Sequence, residues 1–243
     1  MLGAMRVESI FISDVHLGQS GCRATELLAF LAATEAKNIF VIGDLVDFWA
    51  MRRSVCWPEA HQDVLRMLVD RARSGTHVVY IPGNHDDAAR EFAGMNICGD
   101  EFDSAVRCGR LRVRLGAALY GAALFVNNLI YRARRILGLP DWSLTAWLKQ
   151  SVSDARTYIR LFEEAAARAA ASENCDGVVC GHIHHPAIRE IDGVLYCNDG
   201  DWVENCSSLV ETMSGRLALL RWSDARAHSG AQRPLRLLGS SKA

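Results

Sequence analysis

Four short apolar runs in this chain each end in side chains able to hold a cation or move a proton. Ser9-Ile10-Phe11-Ile12-Ser13 leads into Asp14 and His16. Ile39 to Ile42 leads into Gly43, Asp44 and Asp47, His77 to Ile81 into Asn84, His85 and Asp86, and Gly177 to Cys180 into His182 and His184. Carboxylate, imidazole and amide oxygen make a mixed nitrogen and oxygen set suited to Mn2+, Fe or Zn2+. In extended backbone residues i and i+2 point to one side, so Asp14 with His16, and His182 with His184, can each approach one ion. Taken singly, each end is as well explained by a turn or a solvated loop. Four such ends carry too many donors for one ion, and two ions are expected.

The elements that must position these groups read as alternating strands and helices. Runs of this kind, rich in β-branched residues, are buried strands, and open α/β sheets place their sites at the carboxyl ends of strands. Residues 24–36 carry Leu27, Leu28, Phe30 and Leu31 on a helical period. A second helix runs from Pro58 to Arg73 with Val64, Leu65, Leu68 and Val69 inward, the proline fitting its first turn. Phe48 and Trp49 are rim packing residues, and His61 and His77 are structural. An alanine-rich helix spans 152–169, with Val152, Ala155, Ile159, Phe162 and Ala166 on one face. Ala187 to Ile191, Val194 to Cys197, Ser207 to Thr212 and Leu217 to Trp222 alternate with turns such as Asp192-Gly193, and predict an antiparallel meander closing a second sheet. Residues 223–243 read as a flexible tail.

The chain has 243 residues, half of them hydrophobic and 23% charged, with a net charge of −1. That composition supports a real core and excludes a disordered chain; the neutral balance argues against a polyanionic partner, including nucleic acid. The amino terminus lacks a basic segment followed by an apolar core, which predicts a cytoplasmic location. No pair among the eight cysteines has C-x-x-C spacing, so they are expected to be reduced thiols rather than a zinc knuckle.

In order along the chain, Asp14-Val15-His16, Gly43 to Asp47, Gly83 to Asp86 and Gly181 to His184 resemble the D-x-H, G-D-x-x-D, G-N-H-[DE] and G-H-x-H motifs of the calcineurin-like metallophosphoesterases. The resemblance implies an α/β fold, a four-layer α-β-β-α sandwich of two mixed sheets. It implies two divalent metal ions, Mn2+ first and Fe or Zn2+ as alternatives. Asp14, His16, Asp44 and His184 would hold one ion, while Asp44 would bridge to a second held by Asn84 and His182. His85 would donate a proton to the leaving oxygen with Asp86 orienting its ring, and Asn84 and His182 would also meet substrate.

The chain departs from that pattern at one ligand, the histidine of an H-G-D type motif. No histidine lies between His85 and His182, and Cys98-Gly99-Asp100 resembles the motif with cysteine in the histidine's place. Only twelve residues separate His85 from Cys98. Three explanations are open: an absent segment between about 94 and 100, which is favoured, a thiolate ligand at Cys98, or weakened activity. Weak binding at the second metal site is expected.

Between Ser104 and Gln150, Arg107, Arg110, Arg112, Arg114, Arg132, Arg134, Arg135 and Lys149 are opposed by one acid, Asp141, and flank the apolar run Leu115 to Tyr131. Seventeen residues with two asparagines are marginal for a membrane span. A helical hairpin is the better fit, either an ordinary core pair or a lid offering apolar surface to acyl chains and arginines to anionic headgroups. With Gly43 to Trp49 and Asn198 to Glu204, this insert resembles the UDP-2,3-diacylglucosamine diphosphatase branch of the family. That resemblance implies hydrolysis of UDP-2,3-diacylglucosamine to UMP and 2,3-diacylglucosamine 1-phosphate in lipid A synthesis, by an enzyme peripheral to the cytoplasmic face of the inner membrane. Members of that branch carry arginine where this chain has His85. A phosphodiesterase or phosphatase acting on another nucleotide or phospholipid is the alternative enzyme, and a membrane-surface binding protein of weakened activity the alternative from another class. The domain expectation is one unit over 1–222, with a helical lid at about 104–171.

Overall fold

The computed structural model describes residues 5–89, 153–222 and 235–241. Strand β1 (Met5–Ile12) shows why the chain builds two faces from one sheet. Ile10 and Ile12 point to one side and Phe11 to the other, the period of two that a strand imposes. β2 (Thr34–Ile42) and β3 (His77–Ile81) join it in parallel, each reached through a helical crossover, as parallel neighbours require. Helix α1 (Ala24–Ala33) and helix α3 (Glu59–Arg73) form those crossovers and bury Leu27, Phe30 and Leu31, and Val64 and Leu68, against Ile10, Ile12, Ile39 and Val41.

On the other side of β1 the direction reverses. β7 (Ser207–Thr212) pairs antiparallel with β1, followed by β8 (Leu217–Trp222) and β9 (Leu235–Ser241), giving the order β3-β2-β1-β7-β8-β9. A second sheet, order β4-β6-β5, combines β4 (Gly177–Cys180), parallel to β6 (Val194–Asn198), with the β5 (Ala187–Ile191) hairpin partner. Both sheets are mixed. Phe11, Leu209, Leu219, Ile188 and Cys197 fill the space between them. Helix α4 (Ser153–Ser172) covers the outer face of the second sheet, setting Ala166, Ala167 and Ala170 on Val178, Val194 and Tyr196. Alanine suits that place twice over, being the best helix former and small enough for close approach. The layers are helix, sheet, sheet, helix, the expected four-layer α-β-β-α sandwich.

Several expectations need correction. The meander is divided between the sheets: β5 and β6 stay with β4, whereas β7 and β8 belong to the first sheet. The tight Asp192-Gly193 turn keeps β5 and β6 paired, but the longer stretch Asp199–Cys206 allows the chain to change sheets. β7 is buried along Ser207 to Val210, as befits an interior strand. Helix α1 ends at Ala33, where Thr34 begins a longer β2, and Pro58 is the N-cap of α3 rather than a residue of its first turn. Leu235–Ser241 pairs with β8, so the expected flexible tail contains a strand. The portion of the expected lid from 153 to 171 is α4, a layer of the sandwich. The basic insert 104–150 and Cys98 lie outside the described residues.

Candidate metal centre

The ends of β1, β2 and β3 meet at one edge of the first sheet because their exit loops continue the hydrogen bonding that the strands began. Val15 and His16 donate N–H to the Asp44 carbonyl at 3.0 and 2.9 Å, Leu17 to Leu45 at 2.9 Å, and Asp47 back to Leu17 at 2.7 Å. Gly43 N–H donates to Ile81 O at 2.7 Å, which draws in the loop after β3. From the second sheet the loop after β4 arrives with His182 N–H donating to Asp14 Oδ2 at 2.6 Å. Gly181 permits that approach, since a Cβ there would collide with Ser13 Oγ and Asp14 Oδ2; a Cβ on Gly83 would strike Asp44 in the same way.

Five of the residues singled out from sequence hold a left-handed backbone: Asp14 (φ 48°), His16 (54°), Asp44 (53°), His182 (71°) and His184 (49°). Non-glycine residues in this region cost on the order of 1–3 kcal/mol each and persist where the surroundings over-determine them. Their concentration on these residues marks the strand ends as a built site.

At its centre Asp14 Oδ1 lies 3.1 Å from His184 Nε2 and 3.7 Å from His16 Nε2. Their ligand atoms lie within 4.8 Å of one another, close enough to surround one cation. Asn84 Oδ1 meets His182 Nδ1 at 3.2 Å. Asp44 is buried beside them and takes the His85 N–H on Oδ1 at 2.8 Å. Burial, and then the Asp14 carboxylate, push the Asp44 carboxyl up. Burial also opposes ionisation of Asp14, but His184 and His16 outweigh it and hold Asp14 well below the usual carboxylate range. Against its own burial, bonds to Asp14 and Asp47 push His16 up to about 10. Asp14 and Asp44 are 1% and 4% exposed. Buried carboxylates facing imidazole and amide oxygen fit divalent cations by charge and donor type.

Asp47 is the residue that sequence reasoning undervalued. Its Oδ2 lies 3.1 Å from His16 Nδ1 and its Oδ1 3.0 Å from His85 Nδ1, while Oδ1 also accepts the Ala50 N–H that caps helix α2 (Phe48–Met51). Its place in G-D-x-x-D was the signal available. Against burial, bonds from His16 and His85 pull Asp47 far down, so it is an anion beside both rings. The task expected of Asp86 falls to Asp47 instead. Asp86 is fully buried, and its carboxylate accepts N–H groups from Gly83, Asp44, Leu45 (2.7 Å) and Val46 and the Tyr80 hydroxyl (2.6 Å). It ties the β3 exit to the β2 exit; the imidazole of His85 faces Asp47. Trp49, half exposed, lies over His85 with ring centroids 4.4 Å apart, so it borders the site rather than the core.

Groups of the Asn198 to Glu204 stretch stand behind these ligands. Asn198 Nδ2 donates to Gly181 O at 2.7 Å, and Ser13 Oγ, 2.6 Å from Asp199 Oδ1, is also 2.8 Å from Asp14 Oδ2. Burial pushes Asp199 well up. His61, expected to be structural, accepts the Gly18 N–H on Nδ1 at 3.0 Å.

A family profile described as calcineurin-like phosphoesterase matches residues 9–186. The chain is 26% identical over 225 residues to a UDP-2,3-diacylglucosamine hydrolase of Neisseria gonorrhoeae, covering 83% of this chain and 92% of that protein. It is 25% identical over 235 residues to the protein of the same name from Shewanella sp. strain ANA-3, covering 86% and 95%. Among solved structures, Yfce, a phosphoesterase from E. coli, aligns over 96% of this chain and 97% of its own at 13% identity, with a TM-score of 0.44.

Proposed function

The chain belongs to the calcineurin-like phosphoesterases and is a phosphoester hydrolase, and from that premise we propose that its substrate is UDP-2,3-diacylglucosamine, cleaved at the pyrophosphate to UMP and 2,3-diacylglucosamine 1-phosphate. The observation that carries this reading is the convergence of Asp14, His16 and His184, with Asn84 and His182 beside them, at the strand ends of a chain matched over 83% and 86% of its length by relatives bearing that substrate's name. Asp14, His16, Asp44 and His184 would hold one cation, and Asp44, Asn84 and His182 a second, with Mn2+ the first choice for a set without sulfur. When bound, such a pair would supply an acidified water and charge neutralisation at the phosphoryl group.

The protein's own share is positioning and proton transfer. His85 stands at the mouth of the site and its Nδ1 faces Asp47 Oδ1 at 3.0 Å, an arrangement that fixes the ring and leaves Nε2 to meet the leaving oxygen. The other oxygen of Asp47 faces His16, so one carboxylate sets both rings. Asp86 keeps the loops that carry Asp44 and His85 in register. No protein nucleophile is required.

Among the described residues no helix is long and apolar enough to cross a membrane. Contact with an anionic membrane surface through the basic insert 104–150 is proposed from its sequence.

Purified protein incubated with Mn2+ and UDP-2,3-diacylglucosamine should release UMP, followed by mass spectrometry, and His16→Ala should not. Because His85 replaces the branch's arginine, a bis-nucleotide and a phospholipid are run in parallel. Turnover of either without UMP from the named substrate would move the assignment to the phosphodiesterase alternative.

A further inference from the structure

We infer that Arg221, Asn205 and Asp201 form a clamp, rooted in the first sheet, that positions His184 of the second sheet in the metal centre. This rests on the two-cation reading above. The donors come from two sheets: Asp14, His16, Asp44 and Asn84 follow strands of the first, and His182 and His184 follow β4 of the second. A centre split in this way keeps its shape only if something fixes one set of loops against the other.

Asn205 is placed to do so. It lies in the loop entering β7, next to Cys206, which is itself left-handed (φ 49°). Its amide nitrogen donates to the His184 carbonyl at 3.1 Å and to Asp201 Oδ2 at 2.5 Å, which engages both of its hydrogens. Its amide oxygen accepts from Arg221 Nη2 at 2.7 Å, and Arg221 sits on β8 directly across from Ser207. Asp201 Oδ1 gathers the N–H groups of Val203, Glu204 and Asn205 and lies 3.9 Å from His184 Nδ1. The same network therefore holds the backbone carbonyl of His184 by a hydrogen bond and sets the Asp201 carboxylate near, though not bonded to, its ring. His184 is left-handed, a conformation that relaxes when its restraints are removed. Asp201 and Asn205 are buried behind the ligands, so they act through His184.

The test is isothermal titration of the full chain with MnCl2 at a temperature well below the melting transition. Asn205→Ala and Arg221→Leu are expected to weaken Mn2+ binding about 10-fold or more, the usual effect of removing a group that orients a ligand. Arg221→Lys, which keeps a donor and a charge, should recover part of the loss. If Asn205→Ala does not fold, the Arg221 pair decides. Wild-type affinity in the folded variants, with only a lower melting temperature, would reduce the network to bracing between sheets and overturn the inference. A wild-type chain that takes up no Mn2+ would overturn the two-cation reading and this inference with it. Wild-type uptake with unchanged variants would overturn this inference alone.

Discussion

Asp47 carries more of the centre than its position in the motif suggests. Acids in such a loop can be ligands, caps or solvated turns, and this one combines roles: it caps α2 through Ala50 and faces His16 and His85 with separate oxygens. A residue acting through another should lose its effect when that other is removed. Asp47→Asn is expected to lower kcat by about 10²-fold. On a His85→Gln background the same change should cost much less, because residues acting as a unit are not additive. Equal losses on both backgrounds, measured by initial rates at saturating Mn2+, would show that Asp47 acts elsewhere. Asp86 gives the complementary lesson. It neighbours His85 in sequence, yet the tight turn at Pro82 to Asp86 points its carboxylate back at Gly83 and across to Leu45. Chain adjacency identified the right stretch and the wrong side chain.

At the scale of elements, the strands and helices were legible because each buried face repeats: Ile10 and Ile12, or Val64 and Leu68, announce their period without help from distant residues. Sheet membership was not. Alternation tells which face of a strand is buried but not which strand lies beside it, so β7 and β8 could be assigned to either sheet. The site residues were legible as types at strand ends, whereas the clamp and the role of Asp47 depend on contacts across long sequence separations. Helix α4 shows what such a contact costs. Its Glu163, buried, reaches Arg189 of β5 at 3.1 Å, while the arginine is half exposed. Burial pushes the Glu163 carboxyl up, against the pull of Arg189, with Glu164 adding to the rise. With the folded pKa above the unfolded one, Glu163 weakens the fold when ionised. Stability from this group therefore rises as pH falls through the raised pKa, and the rise is complete below the ordinary glutamate value. Arg189→Ala should destabilise the chain at neutral pH by roughly 1–2 kcal/mol, less than for a fully buried pair because its arginine is half in water. On a Glu163→Gln background the loss should vanish, and urea melts of the four proteins measure it. A loss that persists with glutamine would assign the contact to the packing of the arginine stem.

For the whole molecule, the decisive feature is that the donors converge from two sheets, which an apolar seam around Phe11, Leu209, Leu219 and Cys197 and hydrogen bonds such as His182 N–H to Asp14 and Asn205 to the His184 carbonyl already hold together. Cations held by Asp14 and His184 together would add a further link between the two sheets. Ligands that bind the folded state alone stabilise it by mass action, about 2.7 kcal/mol at a hundredfold excess over Kd. For a chain of this size that corresponds to a rise in Tm of roughly 5–10 °C. Chelator treatment should remove the increment from wild-type protein, and His184→Ala, which withdraws one of the second sheet's two donors, should show a smaller increment to remove. Amide hydrogen exchange locates the effect: with Mn2+ present, protection should increase most in β4, β6 and the loop between Gly181 and Pro186. Within β2 and α3, which the first sheet's own core already holds, it should change little. An equal gain of protection in every strand would mean that the cations do not act as a link between the two sheets.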